Sequence, residues 1–309
     1  IQALFVDCDL VEDGALCSAG VVYREKKGLV EMLAYDSGGL PEARYVPTTT
    51  LTSSLSSFNI SEMLAGLEKV LRVASPTMMP LFDMQLFQVK KNTGIDLRAS
   101  LLDNFGGGIV SMASIPEQAD AAELMAQPEQ VVIMAIKDSE SLSAALEALK
   151  DLVPMVKPML KEQDYEGYTI YSFSDASGVE SSEQISYTIT RDKLIVCVGR
   201  VGYLQTVLTR LDSNNSGLWE AEDSEILFER IAKPHPVSRS YMDLSQYTET
   251  VLETLAETLL FDGILGDLDF ASLPSDLEAE LRLVSELNEE PDGFFVRMLL
   301  VDQDASPKR

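Results

Sequence analysis

A single histidine, His235, serves a chain of 309 residues, and this narrows the chemistry at once. It sits in Lys233-Pro234-His235-Pro236-Val237, where each proline disfavours helix for the residue before it, so an extended segment leading into a strand is expected. Zinc sites of the His/Cys type need several such ligands, and Cys8, Cys17 and Cys197 form no Cys-x-x-Cys pair to make up the number. A Ser-His-Asp hydrolase would have to use His235, and no Gly-x-Ser-x-Gly elbow accompanies it. Gly106-Gly107-Gly108 has the density of a phosphate loop. No Lys-Ser/Thr pair follows it, however, and no third glycine falls at dinucleotide spacing, so a tight helix-to-strand turn explains the triplet. No cofactor is expected.

Carboxylates remain, and they carry the sharpest enzymatic possibility. Asp36-Ser37-Gly38, after the apolar-rich Leu33-Ala34-Tyr35, is similar to the active-site tripeptide of aspartic peptidases, where two close carboxylates share a proton because both cannot ionise together. The partner such a site needs is Asp262, although Asp262-Gly263 lacks the intervening hydroxyl residue. Asp36 in a Ser-Gly-Gly loop and Asp262 at a helix end have ordinary structural explanations, so the two are expected to lie far apart. Asp267-x-Asp269, followed by Asp276 and Glu278, is a weak candidate for calcium, as is Asp7-x-Asp9 with Glu12 and Asp13. Counted from Asp267, the sixth position of an EF-hand loop lacks its glycine, so exposed acidic turns are the expectation and no metal site is assigned.

The elements that would position these residues alternate in period. Residues 3–10 and 16–23 read as a β-hairpin about Asp13-Gly14, and Leu277 to Val284 with Phe294 to Val301 as another about Pro291-Asp292-Gly293. With Asp13-Gly14 as a two-residue turn, Leu10 faces Cys17. Cys8 and Cys17 are then diagonal and expected as free thiols. The resemblance of the two hairpins suggests an internal repeat, with Val6 to Val22 matching Leu281 to Leu299. Residues 1–40 would then be the tail of an upstream unit and 41–309 a complete unit ending in its own hairpin. Ile60, Met63, Leu64, Leu67 and Leu71 fall at helical spacing behind an Asn59 cap, and Met78, Phe82, Leu86 and Val89 make a second stripe. Further helices are expected after Asp138 and near 200–211, 223–232 and 245–260. The Ser/Thr alternation of residues 48–57 reads as a polar-faced strand of the kind found at a sheet edge, and residues 167–198 as an antiparallel meander. Cys197, in an apolar run, is expected as a buried structural thiol. The fold class is therefore α+β, with antiparallel sheets and segregated helices in a duplicated unit.

Composition limits the partners. Hydrophobic residues at 46% are ample for a core, and 50 Asp and Glu against 24 Lys and Arg give a net charge of −26. Such a field repels phosphate backbones and anionic headgroups, so nucleic acid is not an expected partner. No apolar run approaches the ~18–20 residues that span a bilayer, so no transmembrane segment is expected. The chain begins at Ile1 without methionine, in strand-like sequence, and an upstream segment removed by processing is expected.

Residues 86–113 hold one further pattern. A helix stops at Gly94, Gly94-Ile95-Asp96 leads into a short helix capped by Asp96, and the glycine triplet precedes an apolar strand. This resembles the helix–Gly-hydrophobic-Asp–helix–Gly-Gly–strand signature of large, uncharacterised exported bacterial proteins that share a repeated domain of unknown function. The resemblance implies export to the periplasm, envelope or medium. Together with the missing catalytic motifs it favours a non-enzymatic module that binds a protein, peptide or apolar ligand. The alternative is a secreted hydrolase using Asp36 and Asp262, an aspartic-type peptidase acting on extracellular protein.

Overall fold

The computed structural model describes residues 1–115, 129–152, 157–173, 184–213, 216–245 and 281–302. In chain order the strands are β1 (Ala3–Val11), β2 (Gly14–Val22), β3 (Thr52–Asn59), β4 (Phe105–Ser114), β5 (Glu129–Ile136), β6 (Leu160–Tyr165), β7 (Tyr168–Phe173), β8 (Ile185–Ile189), β9 (Lys193–Val198), β10 (Pro236–Asp243), β11 (Leu281–Glu290) and β12 (Gly293–Asp302). The helices are α1 (Ile60–Ala74), α2 (Met78–Thr93), α3 (Ser139–Leu152), α4 (Val201–Leu211) and α5 (Glu222–Ile231). The strands join into one sheet in the order β1-β2-β12-β11-β10-β3-β4-β5-β9-β8-β7-β6. The architecture is mixed α and β and rich in strand, with one antiparallel sheet among the described residues where several were expected.

Side-chain period sorts the core onto two faces. Leu55, Val110, Ile133 and Ile195 lie opposite one another in a row across β3, β4, β5 and β9 and are all buried. Leu204, Val207 and Leu208 of α4, with Leu227, Phe228 and Ile231 of α5, close over that row. Residues of the other parity, Met134, Leu194 and Tyr187, pack instead with Leu142 and Leu146 of α3. Helices thus cover both faces, which the expectation of segregated helices did not include.

Local signals hold where the chemistry is short-range. Asn59 Oδ1 accepts from Glu62 N at 3.0 Å to cap α1, and Asp138 Oδ1 accepts from the Glu140 and Ser141 amides to cap α3. Gly94 ends α2 at φ 76°, and Asp96 Oδ1 accepts from Ala99 N ahead of the short turn Arg98–Leu102. The helix expected at 245–260 falls outside the described residues, apart from its first residue, Ser245.

Tertiary context overrides sequence in three places. The strand of the Ser/Thr alternation, β3, is central, between β10 and β4. Its hydroxyls are satisfied by neighbours: Ser53 Oγ donates to Ser111 O at 3.0 Å, and Ser57 Oγ to Val237 O at 3.2 Å. A polar strand is therefore buried without orphaned groups. The glycine triplet lies inside β4 rather than before it, where the pairing of β4 with β5 shifts register between Phe105 and Ile109. The first hairpin turns on Glu12-Asp13, since Val11 pairs with Gly14. Moving the turn by one residue shifts the pairing by two, from Leu10 opposite Cys17 to Leu10 opposite Ala15, which places Cys8 directly opposite Cys17, and the two form a disulfide with Cα atoms 4.1 Å apart. The expected free thiols are thus overturned.

The two terminal hairpins are neighbours in the sheet. Ala3 pairs with Val22 as Arg282 pairs with Val301, so the registers match when Gly14 answers to Gly293. This sets Val22 on Val301, in place of the expected match to Leu299. Between the hairpins, β2 and β12 run antiparallel with Gly14 opposite Val301 and Val22 opposite Gly293, centred on Ser18 and Arg297. Contacts at the junction are reciprocal. Tyr23 N donates to Asp292 O and Asp302 N to Asp13 O, both at 2.8 Å. A Cβ on Gly14 would meet Leu300 O, and one on Gly293 would meet Val21 O, so glycine permits the close approach on both sides.

Candidate functional site

An open cleft of about 720 Å³ lies where β10 begins and β11 ends, beneath the segment Tyr35–Leu40. It brings together two residues that the sequence singled out separately, Asp36 and His235. Their positioning begins at β3. Tyr35 bridges to Phe58, Asp36 N donates to Ser57 O, and Asn59 N donates to Ala34 O, so the segment is laid antiparallel on the end of that strand. Asn59 Nδ2 then donates to Asp36 Oδ1 at 2.7 Å while its own Oδ1 caps α1. Gly107 completes the cradle: a Cβ there would sit 1.5 Å from Asp36 Oδ2. The middle glycine of the triplet therefore gives room to a carboxylate, a reason the sequence alone did not supply.

Asn59 couples a helix cap to the cleft, which makes it testable. Asn59→Ala is expected to cost about 1 kcal/mol in urea unfolding through loss of the cap. Asn59→Asp keeps the cap, so its stability loss should be smaller, but it sets two carboxylates side by side at Asp36.

His235 is held at φ 59°, in the left-handed region, and not in the extended conformation expected from its flanking prolines. The turn is fixed from both sides. Lys233 N donates to Glu286 Oε1 at 2.7 Å, and Asn288 Nδ2 donates to Pro234 O at 3.3 Å. For a non-glycine residue this conformation costs about 1–2 kcal/mol. Such strain persists where the surrounding structure over-determines the conformation. Among the described residues no hydrogen bond ties the imidazole to a carboxylate or hydroxyl.

Charges of both signs line the cleft, and most are already held. Arg239 donates from Nε and Nη2 to Glu286 Oε2 at 2.9 Å, and its guanidinium lies 5.1 Å from the Phe228 ring centre. Glu286 is wholly buried. Glu289 pairs with Lys26, and Glu290 with Lys233 at 3.7 Å. Tyr35 has its phenol pushed above the usual range, first by burial and then by Glu289, so it stays protonated and able to donate at neutral pH. Leu40, Pro236 and Val237 supply apolar wall.

A peptidase dyad needs a second carboxylate sharing a proton with Asp36. Among the described residues no hydrogen bond joins Asp36 to another carboxylate, and Asp262 lies outside them, as do the calcium candidates Asp267 and Asp269. No group of three His, Cys, Asp or Glu residues able to hold a metal occurs among the described residues. Asp13 instead accepts both Arg230 Nη groups at 2.7 and 2.8 Å, tying the first hairpin turn to α5. Cys197 is buried and its thiol is pushed up to about 12, first by desolvation and then by Glu129, which fits an inert structural role.

Arg239, Glu286, Glu289 and Glu290 were missed from sequence, yet one signal was legible. Val284, Glu286 and Asn288 share one side of β11, so a carboxylate and an amide continue an inward series. Comparison with models of protein families, with curated proteins and with solved structures finds no match to this chain.

Proposed function

We propose that the protein is a non-enzymatic exported or envelope-associated binding module whose cleft takes an extended peptide segment. The observation that carries this reading is the lining: fixed charges of both signs on an apolar wall, with Asp36, Arg239, Glu289 and Glu290 each held by a partner residue. Peptides offer both charges and apolar side chains at short spacing, so one segment can meet the paired charges and the apolar wall together. Export is supported by the Cys8–Cys17 disulfide, a bond that persists in oxidising compartments, and by the resemblance of residues 86–113 to exported proteins. The exposed Leu81, Met84 and Phe87 of α2 suit a protein that meets others. The matched registers of the terminal hairpins support the organisation in which residues 1–40 close an upstream unit and 41–309 form a whole one.

Titration with a pool of unstructured peptides tests the reading. Saturable binding is expected for the wild type, and His235→Gly should abolish it while unfolding no more easily, since glycine adopts the left-handed conformation without strain. The aspartic-type peptidase remains the second reading because Asp36 does line the cleft. Cleavage of an unfolded protein from pH 3 to 8, with an acid optimum lost in both Asp36→Asn and Asp262→Asn, would establish it and defeat the binding module.

A further inference from the structure

We propose that the outer edge of β1 is a docking edge for a β10-type strand, an antiparallel segment from a second unit of this fold, whose arginine lies opposite Asp7. A local pseudo-symmetry relates the two terminal hairpins. Their registers match, their junction is centred on Ser18 and Arg297, and the hydrogen bonds across it are reciprocal. In that correspondence β1 answers to β11. Yet β11 is not an edge, because β10 lies on it with Arg239 opposite Glu286. The residue of β1 that answers to Glu286 is Asp7, again a carboxylate. One row across the sheet therefore reads Asp7, Ser18, Arg297, Glu286, Arg239, with a cation missing beyond Asp7.

The two edges of the sheet differ in how they are guarded. Strand β6 carries Lys161, Glu162 and Asp164, the charges that blunt an edge against pairing. Strand β1 has neither lysine nor proline, and it leaves Leu4, Val6 and Leu10 exposed at 69%, 76% and 92%. An edge of that kind is a template for strand addition. A second copy of β1 paired antiparallel over its full length is the wrong occupant, because Asp7 would meet Asp7 in a chain of net charge −26. A β10-type strand suits the middle of the edge: mapped through the register on β11, Arg239 falls opposite Asp7, Ser240 opposite Val6, Tyr241 opposite Phe5 and Met242 opposite Leu4.

The experiment uses the full chain and a synthetic peptide of residues 233–245, followed by amide hydrogen exchange. Saturable binding that protects the β1 amides is expected. It should weaken about tenfold for the Arg239→Ala peptide and for the Asp7→Asn chain, as befits loss of one charged hydrogen bond. A peptide with Arg239→Ser and Ser240→Arg, which moves the cation to the opposite face, should lose as much. No protection of β1 at millimolar peptide, equal binding of all three peptides, or dimerisation of the chain through β1 would each overturn the proposal.

Discussion

Glu286→Ala is expected to lower the stability of the protein by about 3–5 kcal/mol, because it strips the counter-charge from a guanidinium held in the core face of the sheet. Glu286 has no solvent exposure and accepts from Arg239 and from the Lys233 amide, so three donors lose their acceptor at once. Two of them also set the cleft. Lys233 N fixes the turn that carries His235, and Arg239 forms part of the wall. Urea unfolding of Glu286→Ala, Arg239→Ala and the double variant measures the coupling, which should exceed about 1 kcal/mol for groups in direct contact. A loss below about 1 kcal/mol for Glu286→Ala would mean that water replaces the carboxylate and that the pair does not hold the turn. Glu286→Leu with Arg239→Met should recover much of the loss, since a buried ion pair often exchanges for apolar groups of similar size at little cost.

The sequence was most informative where a single turn of backbone decides. Asn59, Asp138 and Gly94 do what their types and positions require, because a cap or a left-handed stop depends on a few adjacent atoms. The helices of 200–211 and 223–232 follow from periodicity alone. What could not be read is pairing. Residues 48–57 read as a strand suited to an edge because hydroxyls look like solvent, and the acceptors offered by Ser111 and Val237 let the observed strand, residues 52–59, lie at the centre. The glycine triplet has the same history: Gly107 makes way for the Asp36 carboxylate, which arrives from a segment some seventy residues earlier. The cleft is a product of such meetings. Asp36 and His235 were both flagged for chemistry, but the residues that hold them are Asn59, Gly107, Glu286 and Asn288, brought in by β3, β4 and β11.

The first hairpin shows how much the position of a turn decides, and its cysteines give the second large effect. With Glu12-Asp13 as the turn, Cys8 and Cys17 face each other and close a loop with a sequence separation of 9. Cross-linking a loop of that size restricts the unfolded chain by about 2.5 kcal/mol in the chain-entropy account. Strand β1 has β2 as its one neighbour in the sheet, so the loss on reduction should be felt first as local opening. Amide exchange in residues 3–11 is then expected to quicken roughly fiftyfold after reduction, or in the variant Cys8→Ser with Cys17→Ser, at 1.4 kcal/mol per factor of ten. The core around Cys197 should exchange as before. Alkylation supplies the covalent count: the denatured, unreduced chain should take one alkyl group, on Cys197, and the reduced chain three, one for each cysteine. Three groups without reduction would restore the free thiols, and a turn at Asp13-Gly14 would be the simplest way to part the two cysteines. Such a turn would bring Asp9, in place of Asp7, into line with Glu286 and change the register on which the β1 docking edge depends.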